Sequence, residues 1–160
     1  MFGCFFPKPG LLLGICTLLT FAAASAQTPL PSTTAHERSV LAGGFAGEKL
    51  WFWQQRLKLQ EWDVSVIIAR STDLKPKTLG NIHWDTAKKT AVIRVMDPAD
   101  YQMPMKEMLD DMEFTVVHEL IHLELVPVLS DVSRNEASRR EEEHAVNQMA
   151  DALLKLQRGR

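Results

Sequence analysis

The stretch TVVHELIHL, residues 115–123, decides how this chain is read. It carries two histidines four residues apart, His118 and His122, with Glu119 directly after the first. Four residues is about one helical turn, so on a helix both imidazoles stand on one face. The neighbours Val116, Val117, Leu120, Ile121 and Leu123 are apolar, which places that helix in the interior. There, a carboxylate and two imidazoles left without partners would be costly. Histidines falling by chance on a solvated helix would have polar neighbours. Two rings so placed reach one metal ion, with Glu119 set to take a proton from a water that zinc activates near neutral pH. The competing reading is a pair of core histidines satisfied by hydrogen bonds alone.

Working outward, the helix is expected over residues 106–125, closed by Val126-Pro127. Upstream lie three β-branched, partly alternating runs, at residues 62–69, 80–85 and 89–96, the last two joined by a tight turn near Asp85. In the third run Ala91, Ile93 and Val95 share a face, and Asp97-Pro98 ends it. A helical pattern covers residues 35–60, with Leu50, Trp53 and Leu57 on one face and Gly43-Gly44 as a break point. Downstream, Ser133 and Glu136 fit a capping box for a last helix reaching about Gln157. The order α, three strands, α, α predicts a single α+β domain, with a small, mostly antiparallel sheet packed on the histidine helix and a C-terminal helix.

A catalytic zinc needs a third protein ligand and one open position. A histidine three turns on is excluded, since Leu125 and Val128 stand where a Gly-x-x-His extension would be. The last helix offers Glu141, Glu142 and Glu143 instead. Helical phase favours Glu142, which is nearer the centre of the face formed by Val146, Met149, Ala150 and Leu153. Position at the edge of that face, with Asn147 one turn on, favours Glu143. With this helix the pattern resembles the gluzincin branch of zincin metallopeptidases, in its small single-domain, minigluzincin-like form. The resemblance spans residues 62–154. It implies His118, His122 and Glu143 as zinc ligands, Glu119 as the catalytic residue, and Asn147 behind a ligand histidine, where the family more often has Asp. It also implies a strand beside the site, residues 91–96, that binds an extended peptide or protein substrate by strand addition. Tyr101 and His83 are weak candidates for stabilising an oxyanion. A catalytically silent zincin scaffold that binds a peptide or envelope protein is the alternative, and the intact Glu119 speaks against it.

Composition bounds the rest. The chain has 160 residues, 46% hydrophobic and 24% charged, with a net charge of −2. No basic run appears, which argues against nucleic acid as a partner. Residues 1–26 carry one charge, Lys8, then an apolar run ending in Ala24-Ser25-Ala26, the pattern of a cleaved signal peptide. Residues 27–34 read as a flexible leader and residues 35–160 as the domain. Cleavage would remove Cys4 and Cys16, leaving no thiol for a disulfide or a metal. The expectation is a secreted or periplasmic protein with no stable membrane insertion after cleavage. Expressed with its own leader in a bacterium, the stable product should begin at Gln27. Amino-terminal sequencing that finds Met1 instead would mean an uncleaved anchor.

Overall fold

The structure is a computed structural model that describes residues 34–76 and 78–159. The signal segment and all of the expected leader but Thr34 lie outside the described residues. Thr34 is the cap of the first helix, α1 (Ala35–Arg56): its hydroxyl accepts from the Glu37 amide, and Glu37 returns the bond to the Thr34 amide. α1 runs unbroken through Gly43-Gly44. Two glycines cost a helix roughly 2 kcal/mol against alanine, but the stripe Ala42, Ala46, Leu50 and Trp53 is buried and holds the helix through packing. The helix ends at Arg56, earlier than residue 60, where Lys58 takes a left-handed conformation (φ 58°). The Gln54 amide then donates to the carbonyls of Leu59 and Trp62, turning the chain into the first strand.

Three strands follow: β1 (Asp63–Ala69), β2 (Gly80–Asp85) and β3 (Thr90–Met96), arranged in the order β1-β3-β2. The α+β class expected from the sequence holds. β2 and β3 form the expected antiparallel hairpin, whereas β1 pairs with β3 in parallel, so the sheet is mixed. The strands run up, down and up along the chain, and β3 takes the central place between the other two. Its core-facing residues explain the choice: Ala91, Ile93 and Val95 are nearly inaccessible, and a central strand buries such a face best. The consequence corrects the expectation for residues 91–96. Both edges of β3 are already paired, so no strand can add there; the unpaired edges of the sheet are the outer ones of β1 and β2.

The second helix, α2 (Met105–Leu129), continues through Pro127 rather than stopping before it. Proline removes one donor, but this falls in the last turn, and the Ser130 amide still bonds to the Val126 carbonyl at 3.0 Å. The third helix, α3 (Glu136–Gln157), is capped by Asn135, not Ser133. Asn135 Oδ1 accepts from the Ser138 amide and Ser138 Oγ accepts from the Asn135 amide, both at 2.9 Å. Asn is as good an acceptor at this position as Ser, so the reciprocal pair two residues on wins. No helix among the described residues is long and apolar enough to cross a membrane.

Helix and sheet meet in one core, where Trp53, Ile82, Ile93, Val116, Leu120 and Val146 pack together. The buried Glu113 of α2 ties the helices: it accepts from Trp53 Nε1 of α1 and from Arg158 just beyond α3, each at 3.0 Å, with Lys49 3.6 Å away. α2 and the sheet come close together at Gly80. A methyl group there would lie 2.4 Å from Thr115 Cγ2 and 2.5 Å from the Arg94 carbonyl oxygen. The second contact is backbone and cannot swing away. Gly80→Ala is therefore expected to destabilise the fold by about 1–3 kcal/mol, read as a lowered midpoint in denaturant unfolding. An unchanged midpoint would show that α2 does not press on β2 there.

Candidate metal centre

α2 holds His118 and His122 one turn apart, with ring centroids 4.8 Å from each other and the two Nε2 atoms 3.1 Å apart. α3 brings Glu143 against both. Its Oε2 lies 3.3 Å from His118 Nε2 and its Oε1 3.4 Å from His122 Nε2. One atom from each of these three residues falls within 4.8 Å of the others. Glu143 is thus the residue of the acidic run that faces the histidines' Nε2 atoms, while Glu141 and His144 are exposed. The Glu124 side chain also points to solvent.

The opposite ring nitrogens are occupied. His122 Nδ1 lies 3.0 Å from Glu142 Oε1, and Arg134 holds the other oxygen of the same carboxylate. A carboxylate so paired only accepts, so the proton of a neutral His122 sits on Nδ1 and its Nε2 carries a bare lone pair. His118 Nδ1 lies 3.1 Å from Asn147 Oδ1 and is held in the same sense. Burial lowers the proton affinity of His118, and the neighbouring His122 lowers it further, against Glu143 and Asn147. Burial also dominates at His122, opposed by Glu143 and aided by Arg134. Two neutral imidazoles then aim lone pairs at each other with a carboxylate beside them. Those three groups repel unless a cation lies among them. The donor set of two imidazole nitrogens and one carboxylate oxygen fits zinc, with a tetrahedral position to spare.

Glu119 follows His118 on α2 and is only 7% exposed. Burial raises its carboxyl to about 7, and Glu143 adds to the rise, with Lys75 pulling the other way. Glu119, both histidines, Glu143 and Asn147 line one cleft of about 570 Å³. The β2 edge forms its opposite wall through Gly80, Ile82 and Trp84. Phe114 also lines the cleft, its ring centred 6.1 Å from that of His118. Neither Tyr101 nor His83 is in the lining. Tyr101 is buried and donates to Asp111 Oδ2 at 2.8 Å, and His83 lies exposed on β2 with Ile82 turned to the other face. Reading the residues missed the part played by Glu142 and Arg134. The signal for Glu142 was its helical phase, which aims it at the packed face; for Arg134, in the loop before α3, there was none.

No protein-family model matches this chain, and neither a curated protein nor a solved structure does.

The buried histidines make a pH prediction with a definite sign. Their proton affinity is lower in the folded than in the unfolded chain, so the unfolded chain binds more protons below about pH 6.5, and stability rises with pH there. Metal-free protein should lose this histidine contribution as pH falls through that value. Glu119, its carboxyl raised to about 7, contributes in the opposite sense, so the rings are read one by one. Ring-proton NMR should place both transitions below the ordinary histidine range, and midpoints above it would contradict the burial described.

Proposed function

We propose that the cleft is the active site of an exported, zinc-dependent peptidase of the small gluzincin type. The observation that supports it most directly is the convergence of His118 Nε2, His122 Nε2 and a Glu143 oxygen in one cleft. Zinc held there would lower the proton affinity of a nearby water and polarise a peptide carbonyl. The protein's own residues supply the rest. A carboxyl poised near pH 7 both takes and returns a proton at physiological pH, which suits Glu119 to act as general base and then as acid toward the leaving amine. Glu142 and Asn147 fix the tautomer and tilt of the two rings by accepting from Nδ1. The free edge of β2 can align an extended peptide through main-chain hydrogen bonds, a role the paired β3 cannot fill. Export rests on the composition of residues 1–26.

The test is zinc content and peptide hydrolysis measured together. Glu119→Gln should keep one equivalent of zinc and lose roughly a hundredfold or more in kcat. His118→Ala and Glu143→Gln should lose the metal itself. Glu142→Gln should weaken zinc affinity about tenfold while still binding, as loss of a group behind a ligand does. Full hydrolysis in the Glu119 variant would sink the mechanism. A Glu142→Gln variant weaker than Glu143→Gln would show that the two carboxylates have been exchanged.

A further inference from the structure

Two cations on the cleft lining take no part in an ion pair among the described residues. Besides the histidines, the cleft's ionisable lining is Lys75, Glu119, Arg134, Arg139, Glu142 and Glu143. Glu142 and Arg134 pair with each other, Glu143 faces the two histidines, and Glu119 is buried. Lys75 and Arg139 remain. Both are exposed, and among the described residues neither side chain makes a salt bridge or a hydrogen bond. Lys75 acts on the buried Glu119 as a counter-charge, but its ammonium, like the Arg139 guanidinium, stays exposed to a ligand in the cleft.

Their placement is specific. Arg139, Glu143 and Asn147 follow one another at four-residue steps along α3, so Arg139 stands one turn, about 6 Å along the helix axis, before Glu143. Lys75 lies in the segment that leads into β2 and belongs to the opposite wall. A peptide laid along the β2 edge would run between the two cations, with Leu79, Trp84 and Phe114 giving it apolar contact. Like charges on facing walls of a concave site reinforce each other's field and attract the opposite sign.

We propose that this cleft selects peptides with an Asp or Glu side chain beside the bond that is cut, and that Lys75 and Arg139 determine that specificity. The proposal rests on the peptidase reading for its setting, but the selectivity can be read without hydrolysis. Zinc-loaded protein would be given pairs of peptides blocked at both termini, identical except for Glu or Gln at the flanking positions. Blocking removes any contribution from a terminal carboxylate. The ratio of kcat/KM for the Glu over the Gln peptide should be about tenfold and should shrink as salt is raised. Arg139→Gln and Lys75→Gln should each cut that ratio several-fold, and Arg139→Glu should turn the preference toward peptides with Lys at the same positions. Such an inversion is a gain that mere loss of structure does not produce. A ratio near one in the unaltered protein, or one unmoved by these substitutions, would overturn the proposal. The same peptide pairs would be titrated against zinc-loaded Glu119→Gln with fluorescence anisotropy as the readout. Tighter binding of the Glu peptides with no hydrolysis by the unaltered protein keeps the selectivity and rejects the peptidase. Hydrolysis that ignores flanking charge does the reverse.

Discussion

Burial of α2 is the constraint from which the rest of the structure follows. From Met108 to Leu123 ten of its sixteen residues are buried, among them Glu113, Thr115 and Glu119, and the two histidines are half-buried. A polar group in that position needs a partner or becomes a large cost. Each of the surrounding elements supplies one. α1 gives Trp53 and Lys49 to Glu113, the end of α3 gives Arg158, and the middle of α3 gives Asn147 and Glu142 to the histidines. The core is apolar in area and held in register by these few polar contacts.

That arrangement separates two kinds of glutamate on α2. Glu113 sits among three cationic or N–H donors at the end of the helix pair away from the cleft. Glu119, two turns on, lies beside Glu143 with Lys75 as a distant counter-charge, and holds its proton to about pH 7. The same residue type thus ties helices together in one place and holds its proton more tightly than usual in the other, set by neighbours alone.

The α2 pattern was legible because an apolar run with three ionisable residues at helical spacing has few physical readings. The strands were legible for a related reason: Ala91, Ile93 and Val95 alternate with half-exposed Thr90, Val92 and Arg94, and the structure keeps that division. What could not be read was which strand lies beside which. Alternation fixes the face of β3 but not its neighbours, so its central place, and with it the identity of the two outer strands, came only from the fold. Helix ends failed where two signals competed, as with Ser133 and Asn135, or where a proline near the last turn cost less than usual. The acidic run on α3 left two candidates because the half-buried Glu142 and the exposed Glu143 both reach the same ring, one at Nδ1 and one at Nε2. A one-residue difference in phase separates roles that composition treats as equal.

The parallel register of β1 bears on the order in which the domain assembles. β2 and β3 meet across a short turn, with Asp85 beside Thr90, a closure that takes microseconds. β1 can join only by pairing Asp63 with Thr90, after the whole intervening segment has been looped back, and such non-local contacts form late. The cleft is built from residues 75–147, which include the hairpin and the α2–α3 pair but neither α1 nor β1. The segment that bears the histidines is therefore expected to reach its near-native arrangement before the amino-terminal helix and strand close over the other side of the core. Since synthesis starts at the amino-terminal end, the earliest part to be made is the last to find its place.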